Sequence, residues 1–164
     1  MAVKTMEDLF LHGIQDIYYA EKQITQALPK MAKAVGKGEL AEAFEEHVKE
    51  TRKQIDRLEK VFANCEQRAK GTECPAIDGM IKEAEEIMED VEDEDVLSAA
   101  LLAGAQAVEH YEMARYGTLC EWAQVLGYDD SAKLLKETLA EEKNTDKKLT
   151  KLAEKAINRR AAAS

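Results

Sequence analysis

The stretch Leu102-Ala103-Gly104-Ala105-Gln106-Ala107-Val108-Glu109-His110-Tyr111-Glu112-Met113-Ala114-Arg115-Tyr116-Gly117-Thr118-Leu119 reads as a long helix whose apolar seam is cut by acid. Leu102, Ala105, Tyr116 and Leu119 recur at helical spacing, and Ala123 and Leu126 continue the run. Glu109 and Glu112 fall inside it. Working outward, the same interruption recurs. Glu21 breaks the run Phe10, Ile14, Ile17, Ile24, Leu28, Met31. Glu142 breaks the run Leu135, Leu149, Leu152, with Thr138 and Thr145 beside it. Glu50 lies next to the seam carrying Leu40, Phe44, Thr51, Ile55 and Leu58. A carboxylate buried alone is too costly to keep charged. Several converging on one layer of a helical bundle most simply share cations.

The turn signals divide the chain into helices A to D and a crossover. Helix A is expected from about Thr5 to Val35, with Thr5 as N-cap and Asp8 three residues on. Pro29 should kink it or split off a final turn, because it removes a backbone donor. Gly36-Lys37-Gly38 then reverses the chain. Helix B should span about Glu39 to Arg68, and a shorter helix about Ala76 to Val91. Glu92-Asp93-Glu94-Asp95 is an acidic joint that supplies caps. Helix C should cover about Val96 to Leu126, and helix D about Ser131 to Arg159, after Gly127-Tyr128-Asp129-Asp130. Two antiparallel hairpins, A–B and C–D, are joined by a long segment. This is an all-α, four-helix bundle with an extra helix in the long crossover, the connectivity of ferritin-like folds. Residues 1–164 form one domain whose tail, about 160–164, should fray.

Counting from the two turns puts Glu21 level with Glu50, and Glu112 level with Glu142, to within a few ångströms at roughly 1.5 Å per residue. The expected metal ligands are Glu21, Glu50, Glu112 and Glu142, with Glu109 and Asp146 terminal or shifting. Two ions, iron or manganese, suit these hard oxygen donors. The usual bundle site adds Glu-x-x-His from two helices, and no Glu-x-x-His occurs here. Gln54 and Asp146 could replace the imidazoles. His47, one turn before Glu50, is either a further ligand or a core histidine bonded to a carboxylate. His110 should pack against another helix or subunit, along the stripe Val96, Ala99, Ala103, Met113, Gly117, Cys120. Tyr18 and Tyr116 either serve the site or pack with their hydroxyls satisfied. A metal-free buried network is the competing reading of the glutamates.

Of the 164 residues, 34% are charged and 5% aromatic, which suits long helices. A net charge of −10 argues against nucleic acid and against an anionic membrane surface. Met1 to Phe10 has no apolar stretch of signal-peptide length, and none of the chain is apolar enough to span a bilayer, so a cytoplasmic location is expected. Cys65, Cys74 and Cys120 lack metal-like spacing and read as reduced thiols, though Cys65 and Cys74 could pair under oxidation.

Three stretches carry a family resemblance: Asp16-Ile17-Tyr18-Tyr19-Ala20-Glu21-Lys22-Gln23, Glu109 to Thr118, and Leu134-Leu135-Lys136-Glu137-Thr138-Leu139-Ala140-Glu141-Glu142-Lys143. Over Thr5 to about Asn158 the chain resembles the YciF/YciE-type ferritin-like stress proteins. That resemblance implies a bundle related to rubrerythrin and other di-iron proteins, and a homodimer. It implies no substrate. The function expected is a stress-associated carboxylate di-metal protein handling peroxide, oxygen or iron. The alternative is a non-enzymatic structural or binding protein whose carboxylate cluster is vestigial or metal-free.

Overall fold

A computed structural model describes residues 3–164. Met1 and Ala2, which belong to the expected domain and to the Met1–Phe10 stretch, lie outside the described residues. Among the described residues all regular structure is helical. The elements are α1 (Met6–Ala34), α2 (Glu39–Asn64), α3 (Pro75–Asp90), α4 (Glu94–Val125) and α5 (Asp129–Leu152). A π-helical turn, Ala153–Ile157, then leads into the short α6 (Asn158–Ala161).

Local chemistry sets the ends. Thr5 and Asp8 form a reciprocal capping box: the Thr5 hydroxyl accepts from Asp8 N at 3.1 Å, and Asp8 Oδ2 accepts from Thr5 N at 3.0 Å. Asp93 Oδ1 accepts from Asp95 N and Val96 N and starts α4 two residues earlier than expected. Gly36, at φ +73°, takes the left-handed conformation that ends α1. Pro29 sits inside α1, which continues unsplit to Ala34. The expected separate turn does not form, because the ring removes one backbone bond while those on either side persist. α2 ends at Asn64, four residues short of the expected Arg68. Glu66 adopts φ 55°, and Gln67 N bonds back to Phe62 O, which closes the helix. The C-terminal end holds helix as far as Ala161, so part of the expected frayed tail is ordered.

The long-range pairs fix the topology. Asn64 bonds Ser131, Arg57 bonds Glu137, Glu46 pairs with Lys148 and Glu39 with Lys155, so α2 and α5 run antiparallel. Gly13 lies against Leu119, and Glu21 against Tyr116, so α1 and α4 are antiparallel too. With the two hairpins, every neighbouring pair in the four-helix square is antiparallel. α2 and α4 therefore point the same way, and the chain must travel back the length of the bundle between them. α3 makes that journey alongside α1. Tyr19 Oη donates to Asp78 Oδ1 at 3.0 Å near its start, and Lys30 Nζ bonds Glu85 Oε1 at 2.8 Å further on. Gly71 is needed just before it, since a Cβ there would sit 3.0 to 3.3 Å from Tyr19.

The core fills the space between the four long helices. Phe10, Ile14, Phe44, Leu58, Phe62, Tyr116, Leu119 and Leu135 are almost wholly buried. Each helix contributes seam residues spaced alternately by three and four, the pattern of near-parallel helix packing. Above and below the middle, that core is apolar. In the middle it is not.

Candidate metal centre

The acid residues in the seams stay in the seams. Glu21, Glu109, Glu112 and Glu142 each have no exposed surface, and His47 has 3%. They come from all four long helices. Donor atoms of His47, Glu109, Glu112 and Glu142 lie within 4.8 Å of one another. His47 Nδ1 is 3.1 Å from Glu109 Oε1, and His47 Nε2 is 3.8 Å from Glu142 Oε2. Glu21 joins from α1, where Oε1 accepts a short hydrogen bond from Tyr116 Oη.

Few of these polar atoms are satisfied by protein. Both carboxylate oxygens of Glu109, Glu112 and Glu142 are buried without an aligned hydrogen-bond donor, as are Glu21 Oε2 and His47 Nε2. A buried polar group left in that condition costs about 1–3 kcal/mol, and more when charged. The electrostatics follow from this crowding. Burial, then the facing charge of Glu142, pushes the Glu109 carboxyl up to about 11. Burial also lifts Glu142, to about 7. Glu21 and Glu112 are driven well above the usual carboxylate range by burial and by the neighbouring acids. Burial, assisted by the charge of Lys148, lowers His47 to about 4, so its imidazole is neutral and has a lone pair to offer. Tyr116 is held protonated by burial and by the Glu21 charge, and so remains a donor.

The other expected site residues lie elsewhere. Glu50 is half-buried on the flank of α2 facing α5, where its Oε2 accepts from the Thr145 hydroxyl at 3.3 Å. Asp146 Oδ1 lies at the α4–α5 surface, 3.3 Å from Gln106 Nε2 and 3.2 Å from His110 Nε2. Gln54 is buried close to Glu142, and its amide donates to Glu141 Oε2 at 3.2 Å. Tyr18 is buried, but its hydroxyl donates to Glu59, so it packs rather than serving the cluster. His110 is exposed and touches α5 through Asp146. All three cysteines are free thiols.

His47 is the member that counting left open. Its signal was present. Leu40, Phe44, His47, Thr51, Gln54, Leu58 and Val61 form an unbroken three–four series, and Glu50 is not part of it. A level count compares heights and ignores direction. Glu50 has nearly the right height but points about 80° off the seam, at 100° per residue.

The sequence and the fold both have known relatives. A family profile described as "Domain of unknown function (DUF892)" matches residues 5–162. The chain belongs to the DUF892 family. Within it, the chain is 49% identical over 162 residues to protein YciF of Escherichia coli K12, with 98% of each chain covered. The crystal structure of that stress protein matches with a TM-score of 0.91 at 50% identity, over 95% of this chain and 99% of the other. YcfI of Rhodopseudomonas palustris, to which a structural role is provisionally ascribed, matches at a TM-score of 0.88 and 53% identity, over 90% and 94%. A Xanthomonas campestris protein at 21% identity, with a TM-score of 0.76 over 97% of each chain, shares the fold. The YciF-type resemblance and the all-helical bundle therefore stand. Among the described residues no helix is long and apolar enough to cross a membrane.

Proposed function

We propose that this DUF892 protein is a carboxylate di-metal protein, with iron or manganese held by Glu21, His47, Glu109, Glu112 and Glu142. One observation supports this above the rest: a layer of four buried acids whose oxygens find almost no donors in the protein. Four carboxylates carry a formal charge of −4, which two divalent cations would balance. Hard oxygen donors with one imidazole suit iron and manganese. His47 supplies that imidazole from α2, in place of the absent Glu-x-x-His. Glu50, expected from the sequence as a core ligand, and Asp146, expected as a terminal or shifting one, stand at the rim and would need to rotate inward to bind.

Two such ions would supply electron transfer to or from dioxygen or peroxide. The chain's own residues set the conditions. Tyr116 orients Glu21 and holds a proton at Oη beside it. Glu142, whose carboxyl is near 7 in the metal-free layer, is the acid that gives up its proton most readily, and metal binding would release that proton. Phe44, Leu102 and Leu135 belong to the apolar core that keeps bulk water from the layer. The E. coli relative is described as a stress protein, and handling of oxygen, peroxide or iron under stress in the cytoplasm is the role that fits.

A structural, metal-free protein is the second reading. It is favoured by the elevated carboxyls, which would let the acids share protons rather than metal. Aerobic reconstitution with ferrous or manganous ion separates the two. The metal reading expects about two ions per chain and, at saturating metal, a melting point higher by roughly 5–10 °C. Protein that takes up no metal, and melts alike with and without it, leaves the structural reading ahead.

A further inference from the structure

Beside the cluster, between α1, α3 and α4, lies a cavity of about 30 Å³. Leu28, Met80, Ala105 and Val108 are among the apolar side chains that wall it, and its polar side chains are those of His47 and Glu109. Burial gives it a direction. Met80 and Val108 are half-exposed, while His47 and Glu109 are sealed inside. A groove of about 320 Å³ runs over the outer surface of α3 and α4, and Met80, Ala84 and Gly104 line both hollows. Those three residues are the partition between solvent and cluster. Gly104 keeps it thin, since a Cβ there would meet nothing within 4 Å.

We propose that groove and cavity form an apolar passage that takes dioxygen from solvent to the His47–Glu109 edge of the cluster. The inference rests on the di-metal reading only for what the gas meets at the inner end. Size and chemistry select the occupant. The cavity has room for a small molecule, and from the groove inward its walls are apolar, so that water finds partners only at the His47–Glu109 end. A hydrated cation or hydrogen peroxide would forfeit its hydrogen bonds on the way in. Dioxygen forfeits none. Oxygen atoms lie instead on the opposite side, between α2 and α5, where half-buried Glu50 stands beside Thr145.

The test uses the full, metal-free chain with methyl-labelled methionine and alanine, and dioxygen itself as a paramagnetic probe. Under dioxygen pressure, relaxation of the Met80 and Ala105 methyl groups should rise severalfold more than that of Ala123, which is equally deep in the core away from the passage. Gly104→Leu should fill the partition and remove most of the enhancement at Ala105, with manganous ion uptake as in wild type. Gly104→Ala, which favours helix, should reduce it less, and Met80→Ala should raise it. Enhancement at Ala105 no greater than at Ala123, or unmoved by either change at Gly104, overturns the passage. Wild-type protein that takes up no manganese yet keeps the enhancement defeats the metal reading and supports the passage.

Discussion

His47 Nδ1 lies 3.1 Å from Glu109 Oε1 in the sealed interior, with no hydrogen-bond alignment between them. A neutral imidazole and a carboxyl so placed are both available to a third party. His47→Ala should therefore weaken manganous or ferrous binding by more than about tenfold. Asp146→Asn, at the surface of α5, should leave binding within error. Titration of the metal-free variants settles it, and equal losses in both would remove His47 from the ligand set.

Tyr116 and Glu21 give a separate test of the layer in the metal-free protein. Tyr116→Phe deletes the one hydroxyl aligned on Glu21 and leaves Oε1 as bare as Oε2. The expected cost is about 1–3 kcal/mol, or a fall in melting point of roughly 2–10 °C. Calorimetry of the variant is the check. An unchanged melting point would mean that the hydroxyl satisfies itself elsewhere.

The pH dependence has a definite sign. Glu142 and Glu109 hold protons in the folded state up to about 7 and about 11, against 4.5 for the ordinary group. Glu21 and Glu112 shift in the same direction. Folded protein thus binds more protons than unfolded protein above pH 4.5, and stability falls as pH rises. His47 opposes this only between about 4 and 6.5, where the unfolded state takes the extra proton. Four acids outweigh one histidine, so the metal-free melting point should drop between pH 5 and pH 8. Glu142→Gln should flatten the slope up to about pH 7. Thermal melts across that range decide the matter, and a flat or rising profile would contradict the burial argument.

Much of this was legible beforehand because periodicity reports direction. Three–four spacing on α1, α4 and α5 placed Glu21, Glu109, Glu112 and Glu142 in seams, and all four are buried. Turn chemistry located the hairpins to within a few residues. Height counting did less well on α2. The residue that shares the cluster there is His47, and an imidazole in a seam reads equally as core. Asp146 looked central because it lies one turn beyond Glu142. At i+4 the helix has already rotated by about 40°, and the Gln106 amide and His110 hold it at the surface. The π-helical turn at Ala153–Ile157 has no signature in composition.

The crossover leaves one face of α4 open. α3 covers Leu101 and Val108, whereas Ala103 and His110 are exposed and Gly117 has free space above its Cα. Close approach of a second helix needs small residues like these. We propose that the homodimer implied by the family resemblance pairs here. Sedimentation should give a dimer for wild type, and Gly117→Arg should shift it toward monomer while far-UV dichroism stays unchanged. A wild-type monomer at micromolar concentration would end this proposal.

Glu21→Gln and Glu142→Gln carry the decisive contrast for function. Each keeps the shape of the side chain and removes a charge, so each should be a poor ligand in a well-formed bundle. Metal occupancy after reconstitution should fall sharply in both. The metal-free melting point should hold or rise, because one buried acid fewer relieves the repulsion that lifts Glu112 and Glu109. Glu7→Gln, on an exposed turn of α1, should change neither quantity. The two quantities must be read together. Lost metal with an unchanged or higher melting point marks a residue kept for binding at the expense of the apo fold. Lost metal with a large fall in melting point would mean that the acids hold the bundle together, the outcome a proton-sharing structural network requires.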